Sequence, residues 1–337
     1  MVAVAVDHGD KQGQPRGHAD QAGTDSPADA PGPPEGSGTR AAVRDSGGEP
    51  GIGSRRPAVL ADPSRRVAEH WMRRALVERV YGLAREAWAE AVPELRAAWE
   101  KLKEKYSYPE RPPPTPQPGD GSWRGAGGRR LDAAQHAEVN LGYARIRDAG
   151  EKTIIPGILA VAAEDPARHL AGFDHRFKGE DRLKEKVAEL LEPPSEITAA
   201  EAVNAISDAV RFTYTYPETY YSQGVLDDVE RLKASGFVLD RLKNTWASDQ
   251  YKGINAQLQE PGSGVRFEVQ FHTQASLEAK ELSHKAYERI RSITDPTPET
   301  DQETAALEAF QSRVNAMVPI PPDVSVIEDY RREKRDG

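Results

Sequence analysis

Cysteine is absent from the 337 residues, so disulfides and thiolate metal sites are excluded, although the absence identifies no compartment. Long apolar runs are absent too. No stretch approaches the roughly 20 apolar residues that a helix needs to span a bilayer, so no membrane insertion is expected. The opening MVAVAV is too short for a signal-peptide core and is followed by Asp7, His8 and Asp10, which points to a cytoplasmic protein and leaves an unmarked export route open. An excess of positive charge is also lacking. The net charge of −9 argues against coating nucleic acid or an acidic membrane through bulk charge, while a local basic pocket stays open. An apolar fraction of 37% is low for a chain packed throughout, so part of it is expected to lie outside any core.

That part is legible. Residues 1–60 are dominated by Gly, Pro, Ala, Asp and Ser, as in PADAPGPPEGSGTR, and are expected to form a disordered tail. A helical segment follows over 62–106, with Met72, Leu76, Val80 and Leu83 at spacings of three and four and a break or kink expected at Pro93. Residues 107–130 read as a Pro-rich, then Gly-rich linker. Beyond it, helical and alternating stretches interleave over 131–320, which predicts an α+β domain with a mixed, mostly antiparallel sheet flanked by helices. Helices are predicted over 179–192, 199–207, 221–235 with Gly236 closing it, 274–292 and 301–317, and strands over 209–216, 237–246, 251–259 and 265–273. Residues 321–337 read as a charged tail.

The stretch GVRFEVQFHT, residues 264–273, puts Phe267, Val269 and Phe271 on one side of a strand and Glu268, Gln270 and His272 on the other. YKGINAQLQ lies before it across the turn EPGSG, a hairpin signal. Polar must face polar, so a four-residue loop pairs Gln257 with Glu268 and Asn255 with Gln270. One sheet surface then carries Tyr251, Asn255, Gln257, Glu268, Gln270 and His272. Such a surface is either a solvated outer face or a site, and spacing alone names no chemistry.

YKGINA and FEVQFHT resemble the G-Y-x-x-I-H and E-x-Q-x-R-T motifs of the RelA/SpoT nucleotidyltransferase domain. HRFKGEDRLKEK resembles its donor-phosphate loop and helix, DAVRFT its metal-binding strand, and ELSHKAYER the A-x-H-x-x-Y segment that follows. The motifs occur in the family's order over roughly residues 170–292, and the wording is most similar to synthetase-only members, the small alarmone synthetases. No His-Asp dipeptide is present, so the family's hydrolase activity is not expected.

The resemblance implies an ATP:nucleotide 3′-pyrophosphokinase on a nucleotidyltransferase-like fold, with ATP as donor, GTP, GDP or an adenine nucleotide as acceptor, and Mg²⁺ as cofactor. Arg176, Lys178, Arg182, Lys186 and Arg211 would bind donor phosphates. Asp208 and Glu268 would hold the metal and do the chemistry, with Glu268 alternatively taking the proton of the 3′-hydroxyl. Tyr251 would stack on the acceptor base, Asn255, Gln270 and His272 would contact ribose or phosphate, and His284 and Tyr287 would brace the sheet. Apart from the resemblance, the same charges fit a solvated basic face, Asp208 a turn and Tyr251 a core position.

The chain departs from the pattern at several places. Asp208 and Arg211 are three apart rather than the commoner five, so the strand start must differ locally. Because alternation would put Asp208 on the apolar side with Val210 and Phe212, it must stand before the regular strand or at a bulge. Arg182 replaces a Ser, His272 an Arg, Asn255 a His, and Asp249-Gln250 an Asn-Gly pair, so guanine preference does not carry over. Two other readings remain: a toxin that modifies the 3′ end of tRNA and has an antitoxin partner, and a non-catalytic partner-binding module. A homo-oligomer fits any of them.

Overall fold

A computed structural model describes residues 63–106, 115–125, 128–293 and 296–332, and the expected disordered tail lies outside these residues. The unit Val67–Gly337 is built on a six-stranded sheet of β3 (His169–Ala171), β4 (Arg211–Tyr216), β5 (Val238–Asn244), β6 (Ile254–Gln259), β7 (Arg266–Thr273) and β8 (Tyr330–Arg331), in the order β3-β4-β7-β6-β5-β8. Only the β4–β7 pair is parallel. The fold is α+β with a mixed, mostly antiparallel sheet. The β6–β7 register sets Gln257 opposite Glu268 and Asn255 opposite Gln270, as the polar-to-polar rule requires.

Alternation gives the sheet two unlike faces. One carries Phe212, Tyr214, Tyr216, Phe267, Val269, Phe271, Ile254, Ala256 and Leu258, all buried. Each fully buried aromatic or aliphatic side chain contributes roughly 1.5–3 kcal/mol, so this face anchors the fold. It is covered by α3 (Ile155–Ala163), which continues α2 (Ala133–Ala149) through one π-helical turn, and by α6 (Tyr221–Ala234). Tyr214 donates to the Ile158 carbonyl at 2.9 Å and Tyr221 to that of Phe271 at 2.7 Å. Helix α6 ends as its sequence predicts, with Gly236 at φ 91°, a left-handed position that glycine adopts without strain. Beneath it Arg168, Asp228 and Tyr216 form a buried hydrogen-bonded group, which meets the requirement that buried charges be paired.

The polar face is crossed by α7 (Gln274–Ser292), started by a reciprocal cap in which Thr273 and Ser276 exchange side-chain and backbone hydrogen bonds. Behind α7 lie α8 (Pro298–Ala316) and α1 (Pro63–Tyr106). Helix α1 runs through Pro93 without the expected break. Proline removes one backbone bond there, while Trp88, Val92, Leu95 and Trp99 on both sides of it are buried and keep the helix continuous. Trp88 donates to Glu278 of α7 at 3.0 Å, and Trp99 meets Phe310 of α8 at 5.6 Å between ring centres.

Two expectations need correction. In the stretch read as linker, residues 107–114 lie outside the described residues, but β1 (Trp123–Arg124) and β2 (Arg130–Leu131) form a small hairpin. Trp123 and Leu131 are buried, so the end of this stretch is packed. The C-terminal stretch is likewise more than a charged tail. Val324 and Ile327 are buried, Asn244 donates to both of their carbonyls, and β8 completes the sheet edge against β5. Two-residue strands are too short to show alternation, and single buried residues among charges leave no periodic signal.

Candidate active site

Helix α4 (Glu180–Leu190) and the segment before it bring cations to the loop that precedes β4. Lys178 follows a short bridge between Phe177 and Val210, and its Nζ lies 2.7 Å from one oxygen of Asp208. Lys186, two turns into α4, lies 2.9 Å from the other oxygen. Asp208 thus stands ahead of the regular strand, which begins at Arg211, and is clamped between two ammonium groups. Burial acts to raise its pKa, but Lys186 and Lys178 outweigh burial and hold the carboxyl well below the usual range.

Glu268 lies opposite Arg211 across the parallel β4–β7 pair, and its backbone amide donates to the Val210 carbonyl at 2.9 Å. Its pKa is raised, first by burial and further by the charge of Asp208, while Arg211, Lys280 and Lys186 oppose the shift. The two carboxylates and these cations therefore share one electrostatic neighbourhood, although Asp208 and Glu268 come from different elements. Gln270 donates to Glu268 at 3.1 Å and accepts from Lys280 of α7 at 2.6 Å. Burial and then Arg211 lower the Lys280 ammonium to about 8.

Further along β7 a second network begins. The hydroxyl of Tyr251 donates to Asn255 Oδ1 at 2.9 Å and lies 2.9 Å from His272 Nε2, and His272 Nδ1 lies 2.9 Å from Ser276 Oγ. Tyr251 donates to Asn255, and both ring nitrogens of His272 are engaged, by the Tyr251 and Ser276 hydroxyls. Burial, helped by Lys280, lowers the His272 pKa well below its ordinary value. Gly253 is dictated by this packing, because a Cβ there would sit 2.8 Å from the His272 ring and 3.2 Å from the Phe271 carbonyl oxygen.

The structure therefore gathers Asp208, Glu268, Lys178, Lys186, Arg211 and Gln270 in one group and Tyr251, Asn255 and His272 in the next. Three expected roles are not matched by placement. His272 is fully buried with both ring nitrogens engaged, so it props Tyr251 instead of facing phosphate. The Arg176 side chain turns back on its own loop, donating to the Phe173 carbonyl at 3.0 Å with its guanidinium 4.3 Å from the Phe173 ring, while only its backbone carbonyl meets the Asp208 group, accepting from the Arg211 amide at 2.7 Å. His284 and Tyr287 are exposed on α7 and do not brace the sheet; His284 lies 3.5 Å from Glu288. Glu288 also accepts from Arg182 at 3.0 Å, which ties that donor-side arginine to α7. Lys280 was not legible as a site residue, because a lysine on a charged helix carries no signal until the helix is laid over β7.

No cluster of three or more His, Asp or Glu suited to a metal occurs among the described residues. No described helix is long and apolar enough to cross a membrane.

No family model and no curated protein matches the chain. Similar solved structures include a protein from Streptococcus mutans UA159 at 17% identity, covering 51% of this chain and 88% of that one with a TM-score of 0.36. A GTP pyrophosphokinase family protein from Streptococcus pneumoniae has 16% identity, covering 51% and 87% with a TM-score of 0.34. Small alarmone synthetase 1 from Bacillus subtilis, bound to its product pppGpp, has 16% identity, covering 54% and 94% with a TM-score of 0.35. At these identities and overlaps the likeness assigns no chemistry to this chain.

Proposed function

We propose that the chain transfers the β,γ-pyrophosphate of ATP to the 3′-hydroxyl of a purine nucleotide, giving AMP and a (p)ppGpp- or (p)ppApp-like product. The observation that carries this reading is the meeting of Asp208 and Glu268 within a set of cations, Lys178, Lys186, Arg211 and Lys280. Four positive groups around two carboxylates leave a surplus suited to a polyphosphate. Pyrophosphoryl transfer needs such a set, because charge on the phosphoryl oxygens must be neutralised while donor and acceptor are held in line.

Each side chain then has a task. Lys178, Lys186 and Arg211 bind donor phosphates. Glu268, whose pKa burial raises, is the better base for it and takes the proton of the attacking 3′-hydroxyl. Tyr251 offers a ring to the acceptor base, oriented through its hydroxyl by Asn255 and His272. Gln270 links the two groups, being next to Glu268 on the same face and opposite Asn255.

Asp208 and Glu268 fit a magnesium ion of the kind that takes one or two carboxylates and completes its shell with substrate phosphates and water. Burial is the main cause of the raised Glu268 pKa, and the charge of Asp208 adds to it; a divalent cation held by the two carboxylates would relieve that repulsion. When bound, such an ion would neutralise phosphate charge.

The test is to incubate the full chain with γ-labelled ATP, magnesium and a panel of purine nucleotides, and to separate the products. AMP and a labelled nucleotide are expected, and Glu268→Gln should abolish both. An unchanged rate in that variant would sink the reading; label on tRNA instead would move the acceptor but keep the chemistry.

A further inference from the structure

Lys280, like Arg211, differs from the other cations of the site in having no ion pair among the described residues. Lys178 and Lys186 share Asp208, and Arg182 pairs with Glu288 and Glu185. Lys280 is half-buried, its hydrogen bond goes to the neutral amide oxygen of Gln270, and among the described residues it has no ion pair within 4.0 Å. Its charge is partly desolvated and stands near Arg211, with Glu268 and Glu281 only partly offsetting both effects. An anion entering between β7 and α7 would complete it.

His272 leaves the same gap from the strand side. It is fully buried and faces Tyr251 and Ser276, so the polar positions Glu268, Gln270 and His272 of β7 present no cation to the site. Helix α7 reaches back over β7 and delivers an ammonium group to the neighbouring polar position, at Gln270. We infer that Lys280 is a donor-phosphate ligand, supplying from α7 the cation that β7 does not. This rests on the pyrophosphotransfer reading above. The donor side is favoured over the acceptor side because Gln270, which holds Lys280, also donates to Glu268, and Glu268 lies opposite Arg211 across the β4–β7 pair. Tyr251 and Asn255 belong to the network beyond His272.

Lys280→Met and Lys280→Arg, compared with the unaltered full chain, test the assignment. Affinity for α,β-methylene ATP with magnesium is measured by calorimetry, alongside KM for ATP and for the acceptor and a thermal melt for each variant. Loss of one charge-assisted phosphate contact should weaken binding of the analogue by about tenfold to a hundredfold in Lys280→Met, while Lys280→Arg retains most of it. The acceptor KM should stay within about twofold of the unaltered chain's, a margin well below the effect of losing a charged contact. Two outcomes overturn the assignment while turnover by the unaltered chain leaves the reaction standing. One is unchanged binding of the analogue by Lys280→Met. The other is a rise confined to the acceptor KM, which would mean that Lys280 only positions Gln270. Absence of AMP release by the unaltered chain would instead remove the reaction reading and the assignment together.

Discussion

The Tyr251 hydroxyl and His272 Nε2 lie 2.9 Å apart, joining the segment before β6 to the polar side of β7. The contact makes His272 a pH-sensitive support. Its pKa is well below the ordinary value in the folded chain, so between that depressed value and about 6.5 the unfolded chain binds the extra proton. Unfolding free energy should therefore rise with pH across this window and be lost as pH falls below about 6.5. Urea melts at pH 5, 6 and 7 check this, and a His272→Gln variant should show a flatter profile; equal slopes in both would count against it.

Asp208 is ionised throughout the ordinary pH range, because two lysines hold it so. Asp208→Asn removes that charge from a half-buried site, leaves two ammonium groups facing each other and deletes a proposed metal ligand. Turnover should fall by about a hundredfold or more, the scale of losing a placed electrostatic group in a site. Steady-state AMP release, with circular dichroism to check that the fold is kept, measures the effect.

Gly253 should tolerate no side chain. A Cβ would meet the His272 ring at 2.8 Å and a backbone oxygen at 3.2 Å, and the ring is held at both nitrogens and cannot swing away. Gly253→Ala should cost about 1–3 kcal/mol, as overpacking does in a filled core. A chemical melt within error of the unaltered chain would contradict the packing described.

Trp88 ties α1 to α7 through Glu278 and is 5% exposed. Trp88→Ala should destabilise the unit by about 3–5 kcal/mol if this part of α1 folds with the sheet. The readout is the midpoint of a denaturant melt followed by far-ultraviolet circular dichroism. A separately folding α1 would instead leave the main transition in place.

The sequence by itself determined the hairpin register of β6 and β7, the span of α7 and the glycine stop after α6, and it narrowed Asp208 to a place before its strand or at a bulge. Each rests on local rules: alternation with a period of two, helical spacing, or a glycine at a left-handed turn. Tertiary structure alone decided the parallel pairing of β4 with β7, which sets Arg211 beside Glu268 across more than fifty residues of chain. It also decided that Pro93 does not break α1, that the C-terminus supplies an edge strand, that His272 is sealed while Arg176 turns away, and that Lys280 reaches the groove. A side chain's burial and charge partners depend on which elements are packed together, and local pattern does not contain that information.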